Sequence, residues 1–269
     1  MPIIVLALGA GIAAAAPAPA ETTPGGALNF GSVNILPPPA PKDSRADEAT
    51  YDRCMALARK DPAAAQKLAQ DWAGRGGEHP AEHCRAVALI GLKQYKDAAT
   101  RLESLGQAMV HAPAELRAEV FDQAGQAWLM AGGAERAYAA ESSALALTPD
   151  DHDLLVDRAE AAGTAGWYDK AAADLDRVLK GSPDRVDALV FRASAYRRLG
   201  RLDEALADVE RALKLAPDSA PALLERGDIR RLKGDAEGAR QDWLRIAVLA
   251  PGSPTAAAAM GNIERLQLK

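Results

Sequence analysis

Two cysteines and two nearby histidines are the residues of this 269-residue chain whose types could do chemistry. Cys54 and Cys84 are the only cysteines, and an even number favours a disulfide if the chain leaves the cytoplasm. His79 and His83 lie four residues apart beside Cys84, and imidazole and thiolate are good zinc ligands. We predict a structural disulfide between Cys54 and Cys84, with two buried thiols or a metal or redox site as the alternatives.

No arrangement typical of an active site accompanies these residues. The four histidines lack a nucleophile motif, and the sequence has no G-x-S-x-G motif or phosphate-binding loop. The formal charge of -5, from 32 Lys and Arg against 37 Asp and Glu, gives no overall basic field for a nucleic acid. We therefore expect no enzyme activity, no cofactor, no metal and no nucleic-acid partner.

The first twenty residues are typical of a secretory signal peptide. Pro2 to Ala16 form an uncharged run close to the roughly 7–15 residues of a signal's apolar core, and Ala18-Pro19-Ala20 offers small residues for cleavage before Glu21. An apolar tail is the alternative interpretation. No later stretch is apolar for long enough to cross a membrane. We expect an exported, periplasmic protein that loses residues 1–20 and has no transmembrane segment in the mature chain.

Residues 21–45 are rich in proline and glycine, with the run Pro37-Pro38-Pro39-Ala40-Pro41 near their end. Such a composition opposes helix and sheet and favours a flexible linker with extended, polyproline-II-like conformation. The stretch from Leu28 to Leu36 is nevertheless more apolar than a solvated linker needs. We expect this stretch either to compete for a binding surface of the chain or to fold against it.

From residue 118 the sequence repeats every 34 residues, in the blocks 118–151, 152–185, 186–219 and 220–253. Glycine at position 15 indicates a helix that ends in the left-handed conformation, and proline at position 32 ends a second helix. We expect the small residue at position 8 to allow close approach of the alanine at position 20. Each block is thus a helical hairpin. In block order, position 15 is Gly132, Gly166, Gly200 and Gly234; position 8 is Gly125, Ala159, Ala193 and Gly227; position 20 is Ala137, Ala171, Ala205 and Ala239; position 32 is Pro149, Pro183, Pro217 and Pro251.

This pattern resembles the tetratricopeptide repeat, a 34-residue helix-turn-helix unit. Block 186–219 matches it closely through Leu189, Ala193, Tyr196, Gly200, Leu202, Ala205, Val209, Ala212 and Pro217. The resemblance implies an all-α fold, a right-handed superhelical α-solenoid of helix-turn-helix hairpins. Residues 46–117 are predicted to form degenerate N-terminal hairpins of this type, and residues 254–269 a capping helix, which the end of such an array needs. Stacking of adjacent first helices would bring Cys54 near Cys84.

Arginine at position 7 and aspartate at position 23 occur together in three blocks and are absent together from block 118–151. Because the arginine and the aspartate occur together or not at all, we favour an ion pair that clamps the two helices of a hairpin. A ligand site is the alternative. The pairs are Arg158 with Asp174, Arg192 with Asp208, and Arg226 with Asp242.

The resemblance also implies that a concave groove lined by the first helices binds a protein or peptide partner. Positions 5, 9 and 12 lie off the packed stripe of these helices and are the candidates. The lysine and asparagine set with which the family clamps a terminal carboxylate is missing there. We therefore expect a non-catalytic scaffold for protein–protein interaction or complex assembly. The alternatives are a redox or metal-handling protein that uses the cysteine and histidine cluster, and a regulatory module of a larger exported assembly. The candidate groove residues are Asp122, Gln126, Val156, Glu160, Val190, Ser194, Arg197, Leu224, Asp228 and Arg231.

Overall fold

The computed structural model describes residues 28–30, 33–35 and 45–267, so the signal peptide predicted for residues 1–20 lies outside the described residues. Between residues 45 and 267 the fold is all-α, as expected, with thirteen helices stacked as helix pairs. The helices are α1 (Arg45–Lys60), α2 (Pro62–Ala73), α3 (Glu78–Gly91), α4 (Tyr95–Ala108), α5 (Ala114–Met130), α6 (Ala134–Leu147), α7 (His152–Thr164), α8 (Tyr168–Gly181), α9 (Val186–Arg198), α10 (Leu202–Leu215), α11 (Ala220–Leu232), α12 (Ala236–Leu249) and α13 (Pro254–Gln267).

The chain divides into two compact units, with the boundary after Ala161 inside α7. In the N-terminal unit, α1 to α6 pack as successive pairs around a continuous apolar core that includes Leu102, Val120 and Trp128. In the C-terminal unit, α9 pairs with α10 and α11 with α12, and the core contains the fully buried Leu189, Leu223 and Trp243. None of the helices in the described part of the chain combines the length and the hydropathy that a membrane crossing requires.

A two-stranded antiparallel hairpin precedes the helices, formed by β1 (Leu28–Phe30) and β2 (Val33–Ile35), with Leu28 opposite Ile35. The prediction that residues 21–45 hold no sheet is therefore wrong for these six residues. Their physical signal is an alternation of apolar residues with Asn29 and Asn34, which is the period of a strand. β2 lies beside α5 in the N-terminal unit.

The repeat signals fix the ends of the helices. Gly132, Gly166, Gly200 and Gly234 all have positive φ, between 76° and 89°, so each first helix of a block ends in the predicted left-handed turn. Each position-32 proline follows the end of the second helix by two residues. At the other end of the array, Ser253 caps α13 by accepting a hydrogen bond from the backbone nitrogen of Ala256 at 3.1 Å.

The two glycines at position 8 have a different partner from the one expected. A Cβ built on Gly227 would lie 2.4 Å from Nε1 of Trp243, and one built on Gly125 would lie 2.0 Å from Oε1 of Glu141. Trp243 and Glu141 both occupy position 24, not position 20. The glycines are needed because a large side chain of the second helix fills the space directly above them.

Candidate functional site

Four candidate groove residues line one cavity of about 700 Å³ in the C-terminal unit. Arg197 comes from α9, Leu224, Asp228 and Arg231 come from α11, and α13 completes the wall with residues that include Asn262. The heptad-like spacing of Leu224, Asp228 and Arg231 places them on one face of α11. The sequence prediction thus identified residues that the fold brings together.

Charges inside this cavity are largely paired. The Arg197 guanidinium donates through Nε to Glu225 and through an Nη to the other Glu225 oxygen at 3.2 Å, with Asp228 3.9 Å away. Burial opposes the charge on Arg197, but Glu225 and Asp228 hold its pKa above the usual value. Burial raises the pKa of Asp228, against the effect of Arg197. Asn262 donates a hydrogen bond to Asp228 at 2.8 Å.

Arg231 is one of the exposed cations that line this cavity, together with Arg198 and Arg265. Its side chain is exposed, and it forms no ion pair within residues 45–267. Leu224, Ala257 and Ala258 provide apolar surface in the same cavity. A cation above an apolar wall suits an extended peptide that carries an acidic group beside an apolar side chain.

Three candidate groove residues have little surface to offer a partner. Val156 and Val190 are 5% exposed and Ser194 is 6% exposed, because neighbouring helices cover these positions. They contribute to packing. Spacing along a helix shows which residues share a face, but not how far the next helix overlaps that face.

The remaining candidates, Asp122, Gln126 and Glu160, lie in the N-terminal unit, where they are half-buried. Two acidic residues that the sequence analysis did not single out, Glu141 and Asp157, interact with them. The signal that could have found Glu141 is its acidic side chain at position 24 of block 118–151, where the other blocks have leucine, valine or tryptophan.

Cys54 and Cys84 are joined by a disulfide that connects α1 to α3. His83 is fully buried beside it: the Tyr51 hydroxyl donates to Nδ1 at 2.8 Å, and Nε2 donates to Oε1 of Gln123 at 2.8 Å. Burial lowers the His83 pKa to about 4, so the ring is neutral and fits this pattern. Both nitrogens of the His83 ring are thus hydrogen-bonded within the core, and both cysteine sulfurs are in the disulfide.

His79 is separate from this polar chain and borders a cavity of about 680 Å³ with Glu82 and Arg101, which form an ion pair at 3.0 Å. Among the described residues, no group of three or more His, Cys, Asp and Glu side chains is arranged to hold a metal ion.

Two of the predicted arginine–aspartate clamps are present in the C-terminal unit. Arg192 donates two hydrogen bonds to Asp208, both at 2.7 Å, and Arg226 donates two to Asp242, at 2.9 and 2.6 Å. Both aspartates are buried, at 8% and 4% exposed. The bidentate pairs join the first helix to the second in each hairpin, which confirms the structural interpretation for these blocks.

Comparison with known proteins agrees with this architecture. The tetratricopeptide-repeat family model matches residues 156–220 and 192–254. A tetratricopeptide-repeat protein from Parabacteroides merdae has a similar structure, with a TM-score of 0.71 and 14% identity over 84% of this chain and 88% of that one. MamA from Desulfovibrio magneticus gives a TM-score of 0.56 and 18% identity over 65% of this chain and 97% of that one.

A third similar structure is YrrB, described as a tetratricopeptide-repeat protein with an unusual peptide-binding site. It gives a TM-score of 0.50 and 18% identity over 67% of this chain and 91% of that one. No protein with a curated description matched the sequence. The family match shows that residues 156–254 consist of tetratricopeptide repeats, and the structural similarity shows that the described helix pairs share the fold of such proteins.

Proposed function

We propose that this protein is a non-catalytic scaffold that binds a peptide segment of a partner protein in the cavity between α9, α11 and α13. The observation that carries the proposal is that Arg197, Leu224, Asp228 and Arg231 line this one cavity. The repeat fold supports it, because arrays of helix pairs present extended concave surfaces for binding. YrrB, of similar fold, is described as having a peptide-binding site.

Within this cavity, Arg231 is the residue to which we assign the electrostatic recognition of the peptide. Arg197 is unsuitable for that role because its guanidinium is already bound to Glu225. Substituting Arg197 would also leave Glu225 buried without its partner, which lowers stability regardless of any ligand. Arg231 is exposed, so its charge can be reversed without disturbing the core.

A random peptide library presented to the immobilised full chain tests the proposal. Peptides that the wild type enriches are measured by calorimetry against Arg231→Glu and against Arg240→Glu, which makes the same charge change on an exposed position of α12. We expect Arg231→Glu to weaken binding at least tenfold and Arg240→Glu to leave it unchanged. Enrichment of no peptide, or equal binding by all three proteins, would show that the cavity has no such function.

The scaffold is further proposed to act outside the cytoplasm, in the periplasm. The signal-like sequence of residues 1–20 and the disulfide between Cys54 and Cys84 support this location, because disulfides persist in oxidising compartments. Expression of the full chain followed by cell fractionation and mass spectrometry tests it. A periplasmic chain beginning at Glu21 is expected, and an uncleaved chain in the cytoplasm would contradict the proposal.

A further inference from the structure

A polar cavity of about 680 Å³, the one that His79 borders, lies in the N-terminal unit between α2, α3 and α4. The pair of α3 and α4 follows the repeat in the register 79–112, because Lys93 falls at position 15 and has the positive φ of the glycine turns. In this register Arg85 occupies position 7 and Arg101 occupies position 23, and both line the cavity. This hairpin therefore has an arginine where the clamped hairpins have the aspartate.

The two arginines share a single carboxylate group. Glu82, at position 4, accepts a hydrogen bond from an Nη of Arg101 at 3.0 Å. Its other oxygen lies 3.6 Å from an Nη of Arg85, which is too long for a hydrogen bond. In the three blocks that have an arginine at position 7, position 4 is a leucine. The site thus holds one more guanidinium group than Glu82 neutralises.

Arg85 lacks the acceptor that the clamp arginines have. Its Nε is buried and has no hydrogen-bond partner among the residues that the structure describes. The same atom of Arg192 and of Arg226 donates to the aspartate at position 23, at 2.7 and 2.9 Å. A buried donor without an acceptor is costly. The two clamps thus show which group satisfies an arginine at this position.

The cavity gives a ligand access to the place of the missing carboxylate. The side chains of Arg85 and Arg101 are 26% and 35% exposed, and their long stems let the guanidinium groups turn toward an entering group. The volume of about 680 Å³ lies within the range of about 300–1,000 Å³ that is typical of ligand sites. A carboxylate from outside can therefore take the place that a residue of the chain itself fills in the clamps.

The rest of the cavity wall suits a peptide. Gln66 and Gln94 line it, and an amide side chain can donate to a peptide carbonyl and accept from a peptide N–H. Asp97 also lines the cavity and opposes an anion. It is exposed to water, which screens its charge, and it forms no ion pair with either arginine. Close to Arg85, the guanidinium groups therefore outweigh the acidic groups.

We propose that this cavity binds the carboxylate of an aspartate or glutamate side chain, on a peptide segment of a partner protein, between Arg85 and Arg101. A guanidinium donates two parallel hydrogen bonds to a carboxylate, which is the geometry of both clamps. The ligand group is a side chain because the clamps hold a side chain at this position. The inference rests on the proposed scaffold function, since it takes the partner to be a peptide. It adds a second contact in the N-terminal unit, at positions 7 and 23 and outside the groove positions 5, 9 and 12.

The test uses the full chain and short peptides of the sequence Ala-Ala-X-Ala-Ala, blocked at both ends, in which X is glutamate or glutamine. Glutamine keeps the shape of glutamate and removes its charge. Titration followed by NMR at low salt is expected to show that the glutamate peptide binds at least tenfold more tightly. Equal binding of the two peptides, or binding of neither, would overturn the proposal. So would tighter binding of a glutamine peptide whose free C-terminus is its only carboxylate, because that result would assign the site to a chain end.

The C-terminal cavity is also proposed to accept an acidic group, so the same titration is repeated with Arg231→Glu. The preference for the glutamate peptide is expected to persist in this variant, because Arg231 belongs to the other unit. A preference that disappears with Arg231→Glu would place the acidic contact in the C-terminal cavity, and would overturn this inference while the proposed function stands. Failure of the C-terminal cavity alone leaves the comparison of glutamate with glutamine in Arg231→Glu unaffected.

Substitutions then locate the contact. Arg85→Gln is expected to weaken binding of the glutamate peptide at least fivefold. Arg53→Gln, the same change at an exposed position of α1, should leave the binding unchanged. Equal affinity of Arg85→Gln and the wild type for the glutamate peptide would mean that this cavity is not the binding site.

Rebuilding the clamp covers the case in which Arg85→Gln binds nothing because it is poorly folded. In Arg101→Asp, the new aspartate should supply the missing carboxylate to Arg85 and abolish binding of the glutamate peptide. Arg101→Asn has the same shape without the charge, so Arg101→Asp should melt at a higher temperature than Arg101→Asn. A melting temperature of Arg101→Asp that is no higher, or an unchanged affinity of this variant for the peptide, would overturn the proposal.

Discussion

At the scale of single residues, burial controls which acidic groups keep their protons near neutral pH. Glu160, half-buried beside Asp157, has a pKa raised from 4.5 to about 7, so the folded state binds a proton that the unfolded state has already lost. Stability from this group is complete below about pH 4.5 and is lost as the pH rises toward 7. Asp122 and Glu141 act in the same direction.

Replacing Glu160 with glutamine should therefore flatten the pH dependence of stability. We expect the free energy of unfolding of the wild type to fall between about pH 5 and pH 8 by about 1–2 kcal/mol more than that of Glu160→Gln. Urea unfolding at the two pH values measures the difference. His83, whose pKa is lowered to about 4, changes stability in the opposite sense in both proteins and cancels in the comparison. An equal fall in both proteins would mean that Glu160 titrates normally.

Gly227 lies so close to Trp243 that it leaves no space for a side chain of its own. Gly227→Ala should destabilise the protein by about 1–3 kcal/mol, because the new Cβ would meet Trp243, which is fully buried and has no room to move. Gly261→Ala is the matched control, since its Cβ would have no neighbour closer than 4.0 Å and alanine favours a helix. Thermal unfolding should show opposite signs for the two changes, and a gain in stability for both would contradict the assigned close approach.

At the scale of elements, the turn between α3 and α4 has the left-handed conformation found in the regular blocks, but without the glycine that those blocks have there. Lys93 stands where the regular blocks have glycine, with a φ of 59°. Its backbone nitrogen bonds to Ile90 and that of Gln94 to Leu89, the pattern that Gly132 and Gly133 also make. A side chain in this left-handed conformation is strained.

Lys93→Gly should therefore stabilise the protein by about 1 kcal/mol, although the side chain is exposed and glycine usually weakens helices. Lys93→Ala removes the charge but retains the Cβ, so it should give no gain. Denaturant midpoints of the three proteins decide the matter. A gain with alanine as large as with glycine would point to the lysine charge as the source of the effect.

The sequence was most informative about elements wherever the 34-residue period placed a residue with one physical role. Gly200 and Pro217 mark helix ends by their own backbone preferences, so their positions transfer directly to structure. The β1–β2 hairpin was not predicted, because the prolines that follow it favour an extended linker over residues 21–45. Its alternating pattern spans only three residues per strand.

The candidate site was less predictable than the helices. The face of α11 that carries Leu224 and Arg231 could be derived from helical spacing. The approach of Glu141 to Asp122 could not, since Glu141 comes from a second helix and the space it occupies depends on the glycine at 125. Contacts between helices depend on side-chain size and overlap, which a period along one helix does not encode.

At the scale of the whole molecule, the disulfide between Cys54 and Cys84 secures the part of the array where the repeat signals are weakest. It closes a segment with a sequence separation of 30 residues. Restricting the unfolded chain over that length is worth on the order of 3–4 kcal/mol in the entropic model. The double variant Cys54→Ala with Cys84→Ala should lose about that much stability.

Thermal unfolding of the wild type, the reduced wild type and the double variant measures this contribution. The reduced wild type and the double variant should melt at similar temperatures, below the oxidised protein. Arg211→Leu, which removes an ion pair with Asp184 on the exposed surface, is the control and should change stability by less than about 1 kcal/mol. If the reduced protein were as stable as the oxidised one, the disulfide would not contribute to the free energy of unfolding.

The side chains at positions 8 and 24 of a block share one space between its two helices. The residue that one helix can accept therefore depends on the residue that the other helix already has. Gly227 faces Trp243, and Gly125 faces Glu141, whereas block 186–219 combines Ala193 with Val209. A larger side chain at position 8 does not fit in a block whose side chain at position 24 is already bulky. During evolution, position 24 must therefore first acquire a smaller residue. Chimeras that exchange whole hairpins should consequently fold, while chimeras joined at the turn within a hairpin should combine incompatible sizes.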